Sequence, residues 1–342
     1  MINVYPGSVS AGNLVNSGRM TLEAEPTVGT RFSVANSLIN NGFLQLGNGT
    51  TGPPGPATTI GTFTNNGSFL ANQTSITLTN QPAGITNIGA GSRLELDASS
   101  IQAGGGSAFA NLTTIDGTLY FYLSPQTITI TPQNTSRTLA ISSTGSLTFI
   151  DGQSWTVQNL TNLGTVFTGA DERTLTANVL NVTGTLANGG SMMLLDSGRP
   201  SMGDSLNVGS HVTGATVPGY HQFSDGILDE LVLGPSSYGS IDVIGPASLS
   251  GTLDVLLENG FTPTVGEQFT ILTFTPGQLT GAFDSLLNPY FAVTYDNAGG
   301  RVVVTAEATP EPASWVLLGL GAFGLFGYAG SRSRQHRRKA SG

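Results

Sequence analysis

A chain of 342 residues can bury a sizeable core, and length alone allows one to three domains. Only 10% of the residues are charged, the formal net charge is −9, and the absence of cysteine excludes disulfides, zinc–thiolate centres and a cysteine nucleophile. Residues 1–309 hold seven Arg against twenty Asp plus Glu and no Lys, a balance of −13, so nucleic acid is not expected as a partner and docking on anionic lipid or an acidic polymer by charge alone is disfavoured.

The start, Met1-Ile2-Asn3-Val4-Tyr5-Pro6-Gly7, has neither a basic region nor an apolar run of signal-peptide type, so the true start is expected upstream. A short unit then recurs: a turn residue, a glycine and an alternating apolar run. It begins at Gly42-Phe43-Leu44, Gly67-Ser68-Phe69, Gly91-Ser92-Arg93-Leu94, Gly117-Thr118-Leu119, Gly145-Ser146-Leu147, Gly164-Thr165-Val166 and Gly184-Thr185-Leu186. Repeats of about twenty to thirty residues built on short strands are the mark of a solenoid. Alternation with period two gives each strand one buried face.

Between these runs lie second apolar runs, Ser75–Thr79, Thr127–Thr131 and Thr174–Val179, whose Thr and Ile suit a pleated, half-buried surface. Two or three strands per repeat predict one coil of a right-handed parallel β-helix, with coils stacked about 4.8 Å apart. The recurring Asn at the turns are expected to stack as hydrogen-bonded ladders. A β-sandwich of short antiparallel strands remains the rival. Residues 50–56, with Pro53, Pro54 and Pro56, are read as a loop outside the paired strands. The Asn-x-Ser/Thr triplets at Asn48, Asn66, Asn72, Asn111, Asn134, Asn159 and Asn181 are read as turn-and-strand composition.

Pro200 and Pro218 bracket a looped section, after which the chain becomes more apolar, through Ile227-Leu228, Leu231-Val232-Leu233, Leu249, Leu253 and Val302-Val303-Val304. This part resembles the C-terminal segment of autotransporter-like passenger domains. The resemblance implies a capping end to the solenoid and carries no implication about activity. Residues 1–218 are therefore taken as the repetitive solenoid and 219–306 as its capping segment.

Candidate chemistry is sparse. Asp225, Asp229 and Glu230 lie near His221, and Asp171-Glu172-Arg173 forms a second charged cluster. Paired carboxylates could serve acid/base cleavage of a polysaccharide, but the first cluster reads as a solvated acidic loop and the second as a surface turn with local ion pairing. His211 and His221 lack Asp or Glu at metal-ligand spacing. No catalytic residue, metal or cofactor is assigned, and the chain is expected not to be an enzyme; a β-helical polysaccharide lyase or hydrolase is the alternative.

The chain ends in three parts: a linker over 307–312 carrying Pro310-Glu311-Pro312, eighteen uncharged residues over 313–330, and a basic tail over 331–342 with Arg332, Arg334, Arg337, Arg338 and Lys339. Eighteen helical residues span roughly 27 Å, just enough for a bilayer core, so a single transmembrane helix is predicted. The basic tail places the C-terminus in the cytoplasm and the ectodomain outside. The ending resembles the PEP-CTERM sorting signal of bacterial exported proteins. The resemblance implies an exosortase as processing partner and a membrane-held intermediate. It further implies final residence at the cell surface or in an extracellular matrix, with extracellular polysaccharide as associate and adhesion or matrix structure as role.

Overall fold

The computed structural model describes residues 2–4, 8–23, 31–47, 56–123, 127–132, 134, 136–150, 152–169, 178–194, 205–208, 219–258 and 260–308. These residues form strands and turns, arranged as a parallel β-solenoid. Twelve strands of one sheet follow each other in chain order, from Ile2–Val4, Arg19–Leu22 and Phe43–Leu46 to Thr252–Leu257 and Ser285–Leu286, each parallel to the last. We call this the spine sheet. Leu44 pairs with Phe69, Phe69 with Leu94 and Leu94 with Leu119, a step of 25 residues per coil.

The period-two pattern decides which side chains enter. Met20, Leu44, Phe69, Leu94, Leu119, Leu147, Val166, Met192, Leu228 and Leu253 form one buried column along the axis. Their sequence neighbours Thr21, Gln45, Leu70, Glu95 and Tyr120 point outward in the same register. Each coil hides the edge of the one before it, which is how many short strands avoid exposed backbone.

The cross-section changes along the axis. The early coils add one long second strand, Ser8–Asn16, Arg31–Asn40 or Ala57–Asn65. That second sheet ends at Gly106–Ser107. A third sheet starts at Asn87–Ile88 and a fourth at Thr127–Ile130, and later coils carry three strands each. The second sheet holds the predicted strand at Ser75–Leu78 and the fourth that at Thr127–Ile130, while the predicted run at Thr174–Val179 lies outside the described residues up to 177. The spine, third and fourth sheets run through residue 219 without a break. At the far end Arg301–Ala306 pairs antiparallel with both Gln268–Thr273 and Phe291–Asp296. Phe269 packs there against Tyr238, Phe261 and Phe291, with ring centroids 5.4, 6.3 and 6.2 Å apart.

Where the second sheet gives way to the fourth, aromatic rings fill the axis. Trp155 lies 4.8 Å from Phe149 and 5.1 Å from Phe121, and Phe109 lies 5.4 Å from Phe121, measured between ring centroids.

The glycines before the spine strands are dictated by backbone approach. A Cβ on Gly42 would lie 2.1 Å from the Gly18 carbonyl oxygen, and one on Gly67 2.1 Å from that of Gly42. Two sequence assignments shift here. In the coil of Arg93–Asp97 the column position is Ser92, while Gly91 faces open space at φ 72°. Gly184 precedes a strand of the third sheet, Leu186–Asn188, and Gly190 occupies the column. Both slips arise because a glycine next to an alternating run marks a turn without saying which corner it turns.

A second column sits after the spine strands, where Gln73, Ala98 and Leu123 all have positive φ, 50°, 46° and 47°. Left-handed backbone costs a residue with a Cβ about 1–2 kcal/mol. Ala98→Gly is therefore expected to raise stability by about 0.5–1 kcal/mol, read as a higher urea midpoint; a lower midpoint would refute the strain.

The expected amide ladder is present. Asn16 donates through Nδ2 to Asn40 Oδ1 at 2.8 Å, and Asn40 likewise to Asn65 Oδ1 at 2.8 Å. Asn162 donates to Asn188 at 2.8 Å, and Asn188 to Gln222 Oε1 at 2.9 Å. The same amides also donate to backbone carbonyls of the following spine strands, Phe43, Ser68, Ser191 and Ile227. Between the two ladders the corresponding residues are Ile88, Ile115 and Ile141. The triplet residues Asn66 and Asn159 likewise serve the fold, donating to Asn41 Oδ1 and the Ser136 carbonyl, both at 2.8 Å.

Candidate functional site

The acidic cluster near His221 does not form a solvated loop. Ile227–Gly234 is a strand of the spine sheet with parallel neighbours on both sides. Leu228, Glu230 and Val232 share the inward parity, so Glu230 enters the core and is 0% exposed. Its in-register neighbours are Leu194 and Val255. Neither carboxylate oxygen has a hydrogen-bond partner. Burial, reinforced by the charge of Asp229, holds its pKa well above the ordinary glutamate value. Sequence reasoning missed this because Leu231 and Leu233 are apolar too, so alternation alone left the inward face of the strand undecided.

Tyr220 and Gln222 lie on the neighbouring third-sheet strand. The Tyr220 hydroxyl donates to Gln222 Oε1, which also accepts from Asn188. Burial pushes the Tyr220 phenol up, and the charge on Glu230 adds to it. Gln222 Nε2 is buried without a partner. Buried polar atoms of this kind are the sites at which internal water is usually held.

Asp229 faces outward and pairs in register with Asp254 on the next coil. Ser191 Oγ donates to Asp229 Oδ2 at 2.8 Å. The Asp229 carboxyl is raised by burial, opposed by the Ser191 hydrogen bond, and raised further by Asp254. At 8% exposure it has little room to meet a polymer. Asp225 lies exposed in the turn before the strand. Among the described residues no group of three or more His, Asp or Glu is placed to hold a metal ion. Asp171, Glu172, Arg173 and His211 lie outside the described residues.

A further carboxyl, Asp97, ends the spine strand Arg93–Asp97 and is 7% exposed. Burial, then the nearby Glu95 charge, pushes its pKa up to about 6. Its in-register predecessor is Asn72, which carries no charge.

The C-terminal signal begins where the solenoid ends. Arg301–Ala306 is held between two strands, and the Glu307 amide donates to the Tyr290 carbonyl at 2.8 Å. Only Ala308 and Thr309 separate that anchored residue from Pro310-Glu311-Pro312 in the sequence. Pro310, Glu311, Pro312, the apolar span 313–330 and the tail residues Arg332, Arg334, Arg337, Arg338 and Lys339 lie outside the described residues. No helix among the described residues is long and apolar enough to cross a membrane.

Comparison with known families finds the PEP-CTERM protein-sorting motif at residues 308–334. The match covers the Pro-Glu-Pro element, the apolar span and the first arginines of the tail. No curated protein matches the chain. The motif marks an exported protein that an exosortase processes and that is sorted to the cell envelope or surface.

Proposed function

We propose that this chain is a non-enzymatic protein of the bacterial cell surface or extracellular matrix, retained there with exopolysaccharide. The observation that carries the reading is the sorting motif at 308–334, joined directly to the end of a closed solenoid. The apolar span would first hold the chain in the inner membrane with the basic tail inside. Exosortase processing near Pro310-Glu311-Pro312 would then release the acidic solenoid to the surface. A stack of short strands with a continuous core suits a stiff spacer or adhesive element, since each coil is supported by its neighbours.

The test is made in the native host. Glu311→Ala is expected to leave the full-length precursor in the membrane fraction and to remove most of the protein from the surface. Unchanged processing and delivery would sink the reading. A fusion partner placed after Gly342 should be cytoplasmic; a periplasmic one would reverse the topology.

The rival reading, a polysaccharide lyase or hydrolase, is favoured by the in-register pair Asp229 and Asp254. Against it stands the shallow access to Asp229. Release of oligosaccharides from neutral or acidic polymers, lost in Asp254→Asn, would move the assignment to that reading.

A further inference from the structure

The first amide ladder stops at Asn65, and the stop coincides with a break between coils. Ala57–Asn65 pairs with the next coil only over Thr58–Ile60, opposite Ile76–Leu78. Beyond Gly61 the chain swings away, and the third sheet starts afresh at Asn87–Ile88 with a neighbour on one side only. A cleft of about 260 Å³ opens between Thr64–Asn66 and Thr86–Gly89, floored by Phe63, Ile85, Ile88 and Leu94.

Three features show that the break is built and leave it rich in hydrogen-bonding groups. First, Asn65 Nδ2 makes one hydrogen bond, to the Arg93 carbonyl at 2.9 Å, whereas each Nδ2 of Asn16, Asn40, Asn162 and Asn188 makes two. Its second amide hydrogen has lost the ladder partner that Ile88 cannot supply. Secondly, the glycine column carries Ser92 at this coil, and its buried hydroxyl donates to the Gly89 carbonyl at 2.6 Å, fixing the turn at the edge of the cleft. Thirdly, Asn87 and Asn66 both line the cleft and are exposed, and Asn66 donates one amide hydrogen to Asn41 Oδ1 at 2.8 Å. The exposed strand edge is itself partly sealed, since the Phe63 amide donates to Gln81 Oε1 at 2.7 Å. An added peptide strand would have to displace that bond.

The lining holds carboxamides and hydroxyls over an apolar floor and no ionisable side chain. Carboxamides present a donor and an acceptor side by side, which matches vicinal hydroxyls that both donate and accept. The apolar floor suits the C–H face of a sugar ring, and a concave site with a few convergent polar groups is the general form of a small-ligand pocket. The balance of −13 over residues 1–309 opposes a polyanion. We propose that the cleft between the coils of Ala57–Asn65 and Asn87–Ile88 binds one uncharged sugar unit of a polysaccharide. The proposal rests on the surface reading above and gives its glycan partner a site.

The experiment titrates the full chain with neutral hexaoses of glucose, galactose and mannose, and with oligogalacturonate as the charged probe. Saturable binding of at least one neutral hexaose is expected, and none of oligogalacturonate. Asn87→Ala and Thr86→Ala should each weaken binding about fivefold, the worth of one hydrogen bond, with unchanged melting. Both residues are exposed on the cleft, and neither supports the fold through a side-chain bond to another coil. Absence of saturable binding to every neutral hexaose, equal binding by the double variant, or binding of the charged probe alone overturns the proposal. Delivery to the surface is read separately in cells, so a chain that arrives but does not bind removes the site and leaves the surface reading standing.

Discussion

Trp155→Ala is expected to destabilise the solenoid by about 3–5 kcal/mol, the range for deleting a fully buried large aromatic side chain. Trp155 is 0% exposed and packs on Phe121, Phe149 and Phe109 at once. Those residues come from two spine strands and the turn that follows the last strand of the second sheet, so no single coil can close over the hole. The location matters as much as the size. Coils contact only their neighbours, so stability along a solenoid is close to a sum of local and nearest-neighbour terms. A cavity at the junction of the second and fourth sheets weakens the coupling between the two halves. Unfolding followed by circular dichroism should therefore become biphasic in Trp155→Ala, while the wild type melts in one step. Trp155→Phe should cost less than its loss of volume suggests, because Trp155 Nε1 is buried without a partner and phenylalanine removes that orphan. A single transition displaced by less than about 1 kcal/mol would show that the cluster is not the keystone of that junction.

The contrast between what was legible and what was not follows from how a solenoid encodes itself. Spacing and alternation were enough for the parallel stack, because every coil repeats the same two constraints: an inward apolar column and a close backbone approach at the corner. That recurring turn Asn would stack in a ladder was legible for the same reason, though not that Asn16, Asn40 and Asn65 would form it. The register 25 residues apart that sets Leu44 over Phe69 also sets Asn40 over Asn65. What the repeat could not convey is where it is broken. Ser92 follows Gly91 and reads as one more turn, yet it is the single column position with a side chain between Gly67 and Gly117. Ile88 reads as one more apolar residue, yet its presence in place of an amide ends the ladder and opens the cleft. The change from two to three strands per coil was equally hidden, since the extra strand Asn87–Ile88 is only two residues long. The sorting motif over 308–334 was legible because it is linear: its order and spacing carry the information without any partner from the fold.

The same limit applies to Glu230, and its burial leads to the second large expected effect: stability should fall as pH rises. The unfolded chain ionises this carboxyl near the ordinary value of 4.5, whereas the folded chain keeps it protonated to well above that. Below pH 4.5 both states are protonated and Glu230 contributes no pH dependence. Above it the unfolded state gains by ionising, so stability declines by about 1.4 kcal/mol per pH unit until the folded pKa is passed. Asp97 adds its own decline between 3.8 and about 6. Its share is recovered in Asp97→Asn, which repeats the Asn72 of the preceding coil. The chain should therefore have a higher denaturant midpoint at pH 5 than at pH 8, opposite to a protein whose carboxylates are held ionised in ion pairs. Glu230→Leu matches its in-register neighbours Leu194 and Val255, removes the need to bury an ionisable group, and should raise the midpoint at pH 8 more than at pH 5. Glu230→Gln keeps the shape and should flatten the pH profile, though with its amide as poorly partnered as the carboxyl it should stabilise less than leucine. Equal wild-type midpoints at the two pH values, or a Glu230→Leu chain less stable than wild type at pH 8, would mean that the carboxylate has found a compensating partner inside the core.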